Sequence, residues 1–314
     1  MDTERIVELI LQEIKNVQQP AQPAVKTETP ATQAAASQPN CWAAEADPNV
    51  PCCDRPPEGL ALDARPCPDF IRPDKLRVCT ENRTQMLQRM KTATSARIGI
   101  GKCGARMRTD TTLQFRADHA AAKDAVSKDV SEEQLKQLGL FTVQTLCRDH
   151  DEYLTRPDLG RKFSPETLND ISKKCRHDVD VQIYAAGGLS STAVEANLPN
   201  ILPAITDGLT AKHLSVGTPF YVRYCRVPAM EEISETLHAK VTCVLIGERP
   251  GLATAESMSA YIAYQATVGM PESRRTVVSN IHRGGISAVE AGAYIADLIE
   301  KMIQKKASGV DFAR

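Results

Sequence analysis

The run Val241-Thr242-Cys243-Val244-Leu245-Ile246 stops abruptly at Gly247, and Glu248-Arg249-Pro250-Gly251-Leu252 follows. An apolar run too short for a helix, ended by glycine and a Pro-Gly turn, reads as a buried strand of an α/β sheet. The pattern recurs from Val179 to Gly188 and from Thr276 to Gly285. Ligands of open α/β sheets collect outside the carboxyl ends of the strands, so three such ends define a candidate site.

Between these strands the periodicity lengthens. A helix is expected to start near Ser190 or Ser191, where its free amides could meet an anion. Asn197 to Gly208 reads as a break. Further elements are a strand over Phe220–Cys225, a helix over Met230–Leu237, a helix over Glu256–Tyr264 rich in small residues, and a closing helix over Ala288–Lys306. Strands alternating with helices imply an α/β layer with mostly parallel strands.

The preceding stretch differs. Helices are expected from about Thr84 to before Gly99, from Thr111 or Thr112 to Val126, and over Ser131–Leu138. Ser131 and Gln134 have the spacing of a capping box. Another helix starts at Ser164-Pro165, with serine as N-cap and proline in the first turn. Ile98-Gly99-Ile100-Gly101-Lys102-Cys103-Gly104-Ala105-Arg106-Met107-Arg108 forms a glycine-rich basic connection. Lacking a closing Gly-Lys-Ser/Thr, it is not a P-loop, and a tight surface loop is the preferred reading over phosphate binding.

Residues 18–77 hold more than half of the 19 prolines, with abundant Ala, Gln, Ser and Thr. Such a segment is expected to lack stable helices and strands. Before it, Ile6, Ile10, Ile14 and Val17 form an apolar stripe over residues 3–17. A helix that short needs a partner surface. The expected organisation is an amphipathic docking or targeting helix (1–17), a Pro-rich linker (18–77), a mainly helical region (78–176) and an α/β domain (177–314). The fold class is thus α/β, with a mostly helical N-terminal region and a disordered N-terminal extension.

Charge is nearly balanced, 38 basic residues against 39 acidic, and aromatics make up only 4%. Neither an electrostatic footprint nor a stacking platform for nucleic acid is evident. No apolar run approaches the roughly 20 residues of a membrane helix. The N-terminus has no signal-peptide core, so the 10 cysteines are expected as free thiols, buried in the later segments and more exposed in the early ones. Cys41, Cys52, Cys53 and Cys67 leave a metal site open as the lesser alternative.

No His-Glu-x-x-His, nucleophile elbow or dinucleotide fingerprint is present. Asp149 to Glu152 reads as a solvated charged loop rather than a metal site. Glu248 can accept hydrogen bonds from a ligand amide or hydroxyl. Arg249 can meet an anion or pair with Glu248 to fix the turn. Asn280 and His282 are directional donors and acceptors in a glycine-rich loop, but His282 has no partner that would make it a general base. No catalytic residue and no metal ligand are assigned. The choices left are a small-molecule-binding α/β protein or an interaction subunit whose strand ends complete a partner's pocket.

Several blocks resemble the small, or light, subunit of ethanolamine ammonia-lyase. They are Arg97–Gly101 through Arg108, Phe115–His119, Gln182–Thr192, Val216–Val227, Ile246–Leu252, Ser279–Gly285 and Gln304–Val310. The resemblance spans roughly 84–314 and implies a helical N-terminal part followed by a Rossmann-like C-terminal domain, 177–314. It implies a non-autonomous subunit of an adenosylcobalamin-dependent enzyme that converts ethanolamine to acetaldehyde and ammonia. A large barrel subunit would hold the substrate, with six large and six small subunits in the assembly. The implied corrin contacts are Val227, Glu248 and Val277, with Arg249 and Asn280 as weaker carry-overs. Related members often carry cysteine where this chain has Val277, which leaves only backbone or apolar contact there. His282 is not implied as a cobalt ligand. The resemblance also implies a bacterial cytoplasmic location within the ethanolamine-utilisation microcompartment, with shell or cargo proteins as partners of residues 1–17.

Overall fold

A computed structural model describes residues 84–94 and 96–313. The expected N-terminal helix and linker, with Cys41, Cys52, Cys53, Cys67 and Cys79, lie outside the described residues. The chain begins with α1 (Thr84–Ala93), a two-strand hairpin β1 (Lys102–Cys103) and β2 (Arg106–Met107), and α2 (Thr109–Ser127). The glycine-rich connection is thus a surface hairpin. Next come α3 (Glu132–Gln137), β3 (Phe141–Gln144), α4 (His150–Thr155) and α5 (Pro165–Lys174). The C-terminal part follows as β4 (Val181–Ala186), α6 (Ser191–Ala211), β5 (Phe220–Arg223), α7 (Ala229–Leu237), β6 (Val241–Gly247), β7 (Met258–Tyr264), β8 (Thr276–Ile281), α8 (Ala288–Lys305) and α9 (Val310–Ala313).

One six-stranded sheet organises the molecule, in the order β3-β5-β4-β6-β7-β8. The first four strands are parallel, and β7 and β8 are added antiparallel. β8 therefore runs in the direction of β6, and the ends of β4, β6 and β8 lie along one edge. That is the juxtaposition the three glycine-terminated runs imply.

Four sequence expectations are corrected. Phe141–Gln144, within the region read as helical, is the edge strand of the sheet, paired with Phe220–Arg223. Met258–Tyr264 is a strand, not part of a helix. Met258, Ala260 and Ile262 pack into one core while Ala263 and Tyr261 pack into the other, a period of two that overrides the helix-like run of small residues. Asn197 to Gly208 does not break the chain, since α6 runs through Pro199 and Pro203. Its buried stripe of Val194, Leu198, Ile201, Leu202, Ile205 and Leu209 outweighs the roughly 3 kcal/mol an interior proline costs. Ser131 does not form a capping box. Its hydroxyl bonds the Glu133 carboxylate, and Gln134 reaches the Glu195 carbonyl on α6. Glu195 also accepts from the Ser131 backbone amide, so α6 supplies the cap from outside.

Two layers of core flank the sheet. On one face α6 and α8 pack together with Val181, Ile183, Leu245 and Ala260. On the other, α5 and α7 cover Tyr184, Val222, Val244 and Ile246. Cys147, Cys175, Cys225 and Cys243 are buried free thiols and Cys103 is an exposed one. Ser164 caps α5 by accepting from Thr167 N–H at 3.1 Å, as its sequence position implies. Asp149, read in a charged loop, is the N-cap of α4 and accepts from Glu152 N–H. No helix among the described residues is long and apolar enough to cross a membrane.

Candidate functional site

The carboxyl ends of β4 and β6 are locked together. Gly188 adopts φ +59°, and a Cβ on it would run into the Gly247 carbonyl and Ile246. That carbonyl accepts from Leu189 N–H at 3.1 Å. Only glycine permits so close an approach. The start of α6 is occupied by the protein itself. The Ser190 hydroxyl accepts from Ala193 N–H and donates to the Ala255 carbonyl at 2.5 Å, while Asn197 donates to Glu256. Ser190 thus caps one of the amides expected to meet an anion, and the loop before β7 closes against this turn.

Beyond the interlock stands Glu248, half-buried. Its carboxylate accepts from Ser257 Oγ at 2.7 Å and from the Ser259 hydroxyl. The Asn280 amide makes a longer contact at 3.5 Å. Burial pushes this carboxyl up, but the hydrogen bonds from Ser259 and Ser257, the Asn280 amide and the nearby His282 outweigh it. Glu248 is held below the ordinary glutamate value and is a fixed anion at neutral pH. Two oxygens offer about four acceptor positions, so capacity remains for a ligand donor.

A β-bulge shapes this site. Met258 pairs with Ile281 and Ala260 with Val278, so β8 holds one residue more than β7 between those pairs. The extra residue turns Asn280 to φ +62°, a conformation asparagine tolerates, and brings its amide toward Glu248. His282 Nδ1 accepts from Gly284 N–H, which leaves Nε2 to donate to Asn280 Oδ1 at 2.9 Å. Both ring nitrogens are thus used to shape the loop. Gly285 must be glycine because a Cβ would collide with Asn280.

The sequence-predicted residues fall on one side of the molecule. Glu248, Ser259, Tyr261, Val277 and Ser279 share the sheet face that α5 and α7 cover further in. Neither helix makes substantial contact with β7 or β8. Val277 is consequently 44% exposed and Ser279 and Asn280 are exposed. Val277 pairs with Tyr261, which pairs with Val244, so it lies roughly 13 Å along the strand direction from Glu248. Val227, in the turn before α7, packs half-buried on the same core layer. Its carbonyl already accepts from Met230 N–H at 3.1 Å, so it offers mainly apolar surface. Arg249 is exposed and makes no hydrogen bond or ion pair with a described residue. The alternative Glu248–Arg249 pair is replaced by the serines.

Sequence reasoning missed Ser257 and Ser259. A Ser-x-Ser alternation leading into an extended strand places both hydroxyls on one side, a signal hidden by reading the segment as helix. It also missed the tie made by Arg97, which bonds Asp118 at 2.6 Å and the Leu252 carbonyl at 3.1 Å, joining the N-terminal helices to the Glu248 loop. Among the described residues no group of three or more His, Cys, Asp or Glu could hold a metal ion. The arrangement can bind and orient. It has a fixed carboxylate acceptor, an apolar wall and a free cation.

Comparison with known proteins places the chain in a family. Residues 84–313 match the family model described as ethanolamine ammonia-lyase light chain. The ethanolamine ammonia-lyase small subunit of Clostridium tetani is 62% identical over 231 residues, covering 74% of this chain and 78% of that protein. Those of Clostridioides difficile and Listeria monocytogenes are 57% and 54% identical, each covering 71% of this chain and 76% of the relative.

Proposed function

The chain belongs to the ethanolamine ammonia-lyase light-chain family, and from that premise we propose how it works as the small subunit of that enzyme. With a large subunit it takes part in the cobalamin-dependent conversion of ethanolamine to acetaldehyde and ammonia. Its own residues form half of the wall around adenosylcobalamin. The single observation that carries this reading is the Glu248 carboxylate, anchored by two serines on the part of the sheet face that α5 and α7 leave open.

The residues present fit such a guest. The edge of a corrin carries amide side chains, and Glu248 is an ionised acceptor with unused lone pairs. Its position is set before binding, so little ordering cost is left to meet on association. Val277 and Val227 supply apolar contact that excludes water. Val277 serves without a side-chain hydrogen bond. Arg249 and Asn280 flank Glu248 and reach polar groups at the cofactor's rim. When bound, the cofactor supplies the radical chemistry, while protein groups orient it and shield it. No described residue of this chain is assigned a proton transfer.

In the same reading, the large subunit is a barrel that holds the substrate, and six copies of each subunit assemble. Residues 1–17 direct the complex into a bacterial microcompartment by packing their apolar stripe on shell or cargo proteins, and residues 18–77 act as the tether. The domain boundary near residue 177 separates the helical region from the corrin-facing part.

The test is reconstitution. Ethanolamine and adenosylcobalamin are supplied to the large subunit, to this chain, and to both. Turnover is expected only with both. Full turnover by this chain alone would contradict the reading.

A further inference from the structure

We infer that the buried ion pair between Glu231 and Arg275 is a positioning device for the cofactor wall. The inference rests on the roles just proposed for Val227, Glu248 and Val277. Glu231 stands in the first turn of α7, directly after the Val227–Pro228 turn. Arg275 immediately precedes β8, two residues before Val277. Their side chains are 9% and 5% exposed. The other Glu231 oxygen accepts from Gly269 N–H at 2.8 Å, and Glu235, one turn on, accepts from Val268 N–H at 2.8 Å. Two carboxylates of one helix thus hold the connection from β7 to β8 across the sheet face.

Stability does not explain this arrangement. Burying two charges costs solvation, and an apolar pair of similar volume is often as stable or more so. Here the cost is raised further, because Arg275 Nε is buried without a hydrogen-bond partner. Nor does packing alone set the spacing. A cleft of about 350 Å³, lined by Arg161, Lys162, Pro228, Gly269, Met270 and Arg275, opens beside the pair. Beyond the shared core of Met230, Ala266 and Met270, the two segments are joined by the Glu231–Arg275 pair and by the bonds of Glu231 and Glu235 to the Gly269 and Val268 amides. What the pair helps to fix is the separation of the turn that carries Val227 from the strand that carries Val277. Two elements from distant parts of the chain are thereby held ready for one ligand.

The test uses the co-expressed complex of large and small subunits. Three variants, Arg275→Met, Arg275→Lys and the double variant Glu231→Leu with Arg275→Met, are compared in thermal midpoint, adenosylcobalamin Kd and ethanolamine KM. Arg275→Met leaves a buried carboxylate unpaired and lowers the midpoint. The double variant removes both charges and recovers it. Its Kd nevertheless stays raised about tenfold, as expected for a surface that has lost pre-organisation, while KM is unchanged. Arg275→Lys keeps the charge but not the forked geometry, so its Kd also rises with little change in midpoint. Wild-type Kd in either the double variant or Arg275→Lys would overturn the inference. Glu248→Ala is measured alongside. If it weakens the cofactor and the pair variants do not, the positioning role alone fails. If it also leaves Kd unchanged, the wall itself is wrong and the inference falls with it.

Discussion

The parallel half of the sheet and its antiparallel outer pair are made for different ends. β5, β4 and β6 are covered on both faces by helices, and every residue of β4 and β6 is buried. β7 and β8 have α8 on one face only, and the other carries Glu248, Ser279 and exposed Val277. The first half is a scaffold whose sequence answers to packing. The second keeps one face open, with Glu248 held by Ser257 and Ser259 and Asn280 held by His282.

Mutation should separate the two halves. Ile183→Ala in β4 removes a side chain with no exposure, and is expected to cost about 2–5 kcal/mol in chemical denaturation. Val277→Ala on the outer pair should stay within about 0.5 kcal/mol. Equal losses would erase the distinction. Glu248→Ala should leave the fold intact and weaken adenosylcobalamin binding to the complex by about 1.5–3 kcal/mol, measured by titration. Because its carboxyl is held below the ordinary range, Glu248's contribution to binding should stay flat above neutrality and fade only in acid, as pH falls through that lowered value.

A pH-dependent effect belongs to the opposite edge of the scaffold. Asp180, just before β4, accepts from Ser215 Oγ and N–H and pairs with Lys240 at 2.7 Å. Burial raises its pKa, but these partners prevail and bring it down to about 2. A carboxyl lowered in the folded state stabilises above its unfolded pKa and ceases to do so as pH falls through the folded one. Asp180→Asn should therefore cost about 1 kcal/mol at neutral pH, and the difference from wild type should shrink as pH falls from about 4 toward 2. A difference that grows in acid would contradict the assigned partners.

Strands of both halves differ in how legible they are in the sequence. Val179–Gly188 and Val241–Gly247 could be read directly, because strands buried on both faces are continuous apolar runs with sharp ends. Glu248 stood out as the charge that follows such a run. Met258–Tyr264 could not be read, since a strand with one polar face and several alanines mimics a helix of small residues. With it went Ser257 and Ser259, the groups that fix Glu248. The bulge at Asn280 depends on one residue of register between β7 and β8, which neither strand encodes alone. The path of α6 through Pro199 and Pro203 is decided by packing on α8, a contact between distant segments. Residue types at the site were therefore visible, and the hydrogen bonds that give them direction were not.

The most direct test is a structure of the co-expressed complex with adenosylcobalamin bound. The account predicts corrin density over the uncovered face of β7 and β8, with a side-chain amide within hydrogen-bond distance of Glu248 and with Val277 and Val227 in apolar contact. Density that lies away from this face, or touches only the large subunit, would contradict it.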